Sequence, residues 1–132
     1  MGTRDGGCLC GAVRYRVTGL PQYSAICHCS SCRRAAGAPS VAWQTYAWQQ
    51  FELLSGKPRT YRSSPGVQRT FCENCGTTLT YGSEQRPGQI DITSSSLDDP
   101  NSSPPDREVW LEDKLTWVAP DGARGRFDRG GD

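Results

Sequence analysis

Gly7-Cys8-Leu9-Cys10-Gly11-Ala12-Val13-Arg14-Tyr15 and, far downstream, Phe71-Cys72-Glu73-Asn74-Cys75-Gly76-Thr77-Thr78-Leu79 are two cysteine pairs, each followed by a glycine. Between them lies a third cluster, Cys27-His28-Cys29-Ser30-Ser31-Cys32. Cysteines at such close spacing can aim two sulfurs at one ion, and zinc takes four ligands in a tetrahedron. Seven cysteines are an odd number for disulfide pairing. Three clusters together in a short chain point to metal rather than to cystine or redox chemistry.

The neighbours of each cluster suggest which share an ion. A glycine after the second cysteine lets the chain turn back and direct backbone N–H groups at sulfur. Both outer clusters have this glycine and the middle one lacks it, which groups Cys8, Cys10, Cys72 and Cys75 around one zinc. A closed site of four thiolates is structural, and here it would clamp the start of the first strand to mid-chain. Cys27, Cys29 and Cys32 remain as three ligands, the number that leaves a catalytic zinc one open position. Two alternatives stand beside the open site: His28 closes it as a fourth ligand, or the three cysteines hold no metal at rest. His28 itself reads as a packing or hydrogen-bonding residue, because three consecutive side chains rarely reach one ion.

An open three-thiolate zinc is a weak Lewis acid, better suited to holding a thiol as thiolate than to ionising water. Arg33 and Arg34 follow Cys32 and are candidates to offset its excess negative charge, to draw in an anion, or simply to face solvent. The single histidine sits inside a metal cluster, so no Ser-His-Asp chemistry can be assembled. No Gly-rich phosphate loop occurs.

The rest of the chain reads as mainly β. Fifteen glycines and nine prolines among 132 residues favour short strands joined by turns. Ala12–Val17 alternates apolar and polar residues, as do Val41–Thr45 and Phe51–Leu54. Further strands are expected at Arg59–Tyr61, Gln68–Phe71, Thr77–Tyr81 and Gln89–Thr93, with a last pair of short elements at Glu108–Leu111 and Leu115–Val118. Ser30–Ala36 is the one expected helix, and residues 95–106 form a proline-broken loop. A single domain over residues 4–120 and a flexible tail over 121–132 are expected. With 35% apolar residues the core is modest and needs staples.

The net charge of +1, from 15 basic and 14 acidic residues, argues against nucleic acid or a membrane surface as partner. The first residues lack the apolar run of a signal peptide, and no stretch approaches the length of a membrane span. A cytoplasmic, thiol-reducing setting is the expectation.

The three cysteine clusters with their glycines closely resemble the glutathione-dependent formaldehyde-activating enzyme family, also known as the centromere-protein-V domain family. Ser55-Gly-Lys-Pro58, Tyr61-Arg-Ser-Ser-Pro-Gly66, Ser96-Leu-Asp-Asp-Pro100, Trp110 and Trp117 add to the likeness, which runs over about residues 5–120. The resemblance implies a zinc-stapled fold of the β-tent type with two zinc ions, the second labile. Its structural ligands fall on Cys8, Cys10, Cys72 and Cys75, and its active-site ligands on Cys27, Cys29 and Cys32. It implies a carbon–sulfur lyase or synthase acting on a thiol–aldehyde adduct, glutathione plus formaldehyde being the family's reaction. The alternative is a non-catalytic zinc-stapled module that binds a small thiol or a protein partner.

Overall fold

Tyr15 and Val17 lie on one face of β2 (Arg14–Thr18) and are fully buried, while Arg14 and Arg16 lie on the other. Arg16 pairs with Asp5 at 2.8 Å, and Arg14 reaches Asp98 at 3.0 Å. β2 is the middle of a three-stranded antiparallel sheet between β1 (Thr3–Gly7) and β5 (Phe51–Ser55). β1 ends in two glycines for a steric reason. A Cβ on Gly6 would stand 2.5 Å from the Tyr15 ring, and one on Gly7 2.3 Å from the Val13 carbonyl. The strand therefore carries no alternation for a sequence reading to detect.

In this computed structural model residues 2–119, 122 and 124–130 are described. The remaining strands are β3 (Tyr23–Cys27), β4 (Val41–Ala47), β6 (Arg59–Ser64), β7 (Val67–Phe71), β8 (Thr78–Ser83), β9 (Gln89–Thr93), β10 (Arg107–Val109) and β11 (Gly125–Arg126). They form an eight-stranded sheet in the order β11-β10-β3-β4-β9-β8-β7-β6. Pairing is parallel from β11 through β10 to β3 and antiparallel elsewhere.

The two faces of this large sheet have different tasks. Tyr46, Ile90 and Ile92 pack with Val13, Tyr15, Val17 and Leu97 to make the core between the sheets. On β4 and β9 the opposite side carries Trp43, Thr45 and Asp91, with Thr45 directly across from Asp91. Those residues face a cleft.

The single α-helix among the described residues, α1 (Ser30–Ala36), links β3 to β4. It starts where Cys29 Sγ accepts the Cys32 N–H at 3.3 Å and stops at Gly37, whose φ of 63° ends the helix with a bond back to Arg33.

The mainly β class and the helix agree with the sequence, but three strands differ from it. β1, β3 and β11 form where no element was expected, and Leu115–Val118, expected as a short element, holds only a turn at Thr116 and Trp117. Of the C-terminal segment, Gly125 and Arg126 pair with β10, and the Tyr23 hydroxyl donates to the Gly130 carbonyl at 2.5 Å.

Candidate metal centres and the cleft between them

All seven cysteines are free of disulfides. Their sulfurs fall into two sets, Cys8–Cys10–Cys72–Cys75 and Cys27–Cys29–Cys32, each with every ligand atom within 4.8 Å of the others. These are the sets that the positions of the glycines group together.

The four-sulfur set is made by two loops of the same design. The Cys8 N–H donates to the Val13 carbonyl at 3.1 Å, and the Cys72 N–H donates to the Thr77 carbonyl at 3.0 Å. Gly11 and Gly76 each take φ of 82°, the left-handed turn that folds the second cysteine back over the first. Polar groups then converge on sulfur. The Val13 N–H donates to Cys8 Sγ at 3.2 Å, and Asn74 Nδ2 donates to Cys10 Sγ at 3.2 Å. A hydrogen bond with the Thr77 hydroxyl and backbone N–H groups hold the Cys75 thiol down at about 5. Four sulfurs around a zinc at about 2.3 Å stand about 3.8 Å apart. Cys8 and Cys10 are 3.6 Å apart and Cys10 and Cys72 3.8 Å, the spacing such an ion needs, and all four sulfurs lie within 4.8 Å of one another.

The three-sulfur set sits where β3 runs into α1. Because an extended chain sends alternate side chains to opposite sides, Cys27 and Cys29 share a side and His28 faces away. His28 Nε2 meets Glu108 Oε1 of β10 at 2.8 Å, with both side chains buried. His28 is thus a pinning residue and lies outside the sulfur set. Cys32, one helical turn on, completes the trio.

Sulfur-to-sulfur hydrogen bonds from Cys27 and Cys32 hold Cys29 down at about 2, and the same sharing pushes Cys27 well up. Three sulfurs so close cannot all ionise without a cation among them. That donor set, thiolate-rich and compact, suits a soft or borderline divalent ion such as zinc.

The trio opens into a cleft of about 1080 Å³ whose lining includes Trp43, Arg69, Tyr81, Arg86 and Asp91. The Trp43 and Tyr81 rings, 6.1 Å apart, form an apolar wall. Asp91 accepts from Thr45 Oγ1 at 2.6 Å and from Arg86 Nη2 at 2.5 Å, which fixes a polar wall.

Arg69 is the site residue that sequence reasoning missed. Its Nη2 lies 3.9 Å from Cys32 Sγ, and its guanidinium stacks 4.8 Å from the centroid of the Tyr81 ring. One signal was available: in Val67-Gln-Arg-Thr-Phe71 the alternation places Arg69 on the inward face. Arg33 and Arg34, by contrast, line a separate shallow hollow with Leu115 and Trp117. Adjacency in sequence to Cys32 does not bring them into the cleft.

Among the described residues no helix is long and apolar enough to cross a membrane.

Comparison with known proteins places this arrangement. A Halomonas elongata protein, provisionally named a glutathione-dependent formaldehyde-activating enzyme, is 32% identical over 86% of this chain and 78% of its own length. An uncharacterized lyase of Schizosaccharomyces pombe is 33% identical over 58% of this chain and 56% of its own. A Rhodobacter sphaeroides protein of known crystal structure shares the fold, with a TM-score of 0.62 at 20% identity, over 93% of this chain and 98% of that one. The model of the glutathione-dependent formaldehyde-activating enzyme family matches residues 3–113, which hold both sulfur sets, and the chain belongs to that family.

Proposed function

We propose that the chain is a zinc-dependent carbon–sulfur lyase or synthase acting on the adduct of a small thiol and an aldehyde, glutathione and formaldehyde being the pair named by its family. The observation that carries this reading is the three-sulfur set opening into a cleft large enough for a small peptide-sized thiol. In this reading Cys8, Cys10, Cys72 and Cys75 hold a structural zinc, and Cys27, Cys29 and Cys32 hold a second.

Held by Cys27, Cys29 and Cys32, a second zinc would supply the positive charge that favours an incoming thiol as thiolate. The chain's own groups do the rest. Trp43 and Tyr81 shield one side of the sulfurs from water, and the Thr45–Asp91–Arg86 chain offers fixed polar groups to the rest of the thiol. In the forward direction the thiol gives its proton to solvent and its sulfur bonds to the aldehyde carbon. The carbonyl π pair moves to oxygen, which takes a proton from solvent. The reverse reaction breaks the same carbon–sulfur bond.

The test is exchange spectroscopy of glutathione with formaldehyde, because the adduct also forms unaided. Wild type should speed the exchange, and Cys29→Ala should abolish that acceleration while keeping the wild-type melting temperature and one zinc per chain. A folded Cys29→Ala protein that accelerates exchange as the wild type does would take the reaction away from the three-sulfur set, and a wild type that gives no acceleration would leave the chain as a binding module.

A further inference from the structure

Arg69 is 7% exposed, and the partners of its charge are unusual. Nε donates to Ser63 Oγ at 3.3 Å, Nη2 points at Cys32 Sγ at 3.9 Å, and the plane stacks on Tyr81. Nη1 is buried with no hydrogen-bond partner. Among the described residues no carboxylate lies within ion-pair distance of it. Burying a guanidinium without a counter-charge is costly, so the fold must offer one nearby. The group in contact that can carry negative charge is Cys32 Sγ, with the Cys27 and Cys29 sulfurs within 4.8 Å of it.

We propose that Arg69 is the counter-ion of the Cys27–Cys29–Cys32 set and makes its open position prefer an anionic fourth ligand, a thiolate, over a neutral one. This rests on the reading of that set as an open zinc site. Three thiolates and one divalent zinc carry one net negative charge, and a fourth thiolate raises it to two. A fixed positive charge at the sulfurs removes one of them, while it does nothing for a neutral ligand. The arrangement is a specificity device of β7, far along the chain from the ligands that it serves.

Cobalt(II) in place of zinc makes the test visible, since thiolate-to-cobalt absorption reports an added thiolate and the cobalt d–d bands report any new ligand, imidazole included. The probes are 2-mercaptoethanol, which binds as thiolate, and imidazole, which binds neutral. Wild type is compared with Arg69→Met, which keeps length and loses charge, and with Arg69→Lys, which keeps charge. We expect Arg69→Met to weaken the thiol about tenfold or more and imidazole by less than about threefold, with Arg69→Lys recovering most of the loss.

Equal losses for both probes, or an unchanged thiol affinity, would overturn the assignment. If Arg69→Met does not fold, Arg69→Gln makes the same comparison, and the absorption of cobalt in the four-sulfur site shows which variants are intact. A wild type that binds neither probe would remove the open position itself and so the proposed function. A wild type and an Arg69→Met that bind thiol alike would remove Arg69's role alone.

Discussion

At Gly76 the need for glycine is conformational and nothing else. A Cβ there would meet no atom within 4 Å, yet φ is 82°. That angle turns the Gly76 N–H onto the Cys72 carbonyl at 2.7 Å and swings the following amides toward sulfur. Gly11 has the same φ and the same open surroundings. Gly76→Ala should therefore cost about 1–2 kcal/mol, the penalty of a left-handed L-residue, in urea unfolding of the zinc-loaded protein. Gly76→Asn should cost less, because asparagine tolerates that region. Equal losses in the two variants would mean that space around the residue, not its backbone angle, sets the requirement.

At the scale of elements, the β3–α1 junction is held from behind by β10. Besides the His28–Glu108 contact, the His28 N–H donates to the Val109 carbonyl at 3.1 Å. Glu108→Ala would leave the buried His28 ring with neither nitrogen paired, since Nδ1 already has no partner. The expected cost is about 2–3 kcal/mol, with Glu108→Gln well below it because the amide keeps a contact. A urea midpoint for Glu108→Ala equal to wild type would show that β10 does not pin the junction.

Elements also show what the sequence could and could not disclose. α1 and the cysteine clusters were legible because capping and paired ligands depend on residues a few positions apart, and the glycine after each outer pair is what joins Cys8 and Cys10 to Cys72 and Cys75. β3 was not. Ala25 and Cys27 are buried, while Tyr23, Ser24 and Ile26 are half-buried, so Tyr23-Ser-Ala-Ile-Cys27 carries no clean alternation of apolar and polar residues. β1 hid behind the two glycines that make room for Tyr15 and Val13. Leu115–Val118 has the apolar look of a short element, yet among the described residues no strand pairs with it. The alternation in β7 turns Arg69 inward, but its meeting with Cys32 of α1 joins elements far apart in sequence, and no local pattern encodes that contact.

On the scale of the molecule the two sulfur sets have unequal structural weight. Cys8 and Cys10 lie in the turn between β1 and β2 of the small sheet, whereas Cys72 and Cys75 lie in the turn between β7 and β8 of the large one. An ion in the four-sulfur site therefore ties the two sheets together at the rim of the core that they share. Structural zinc contributes roughly 10–16 kcal/mol in small domains, comparable to a whole domain's stability of about 5–15 kcal/mol. The three-sulfur set joins β3 to its own following helix, so an ion there organises one junction within one sheet. Zinc should accordingly leave in two steps. Mild chelation is expected to take one equivalent with little change in melting temperature, and the second should depart together with the fold. Cys72→Ala should mimic the second step and unfold the chain at ordinary temperature, whereas Cys29→Ala should mimic the first. Release of both ions in one step with unfolding, or a metal-free protein that melts like the loaded one, would mean that the sheets are held by their apolar core and not by sulfur.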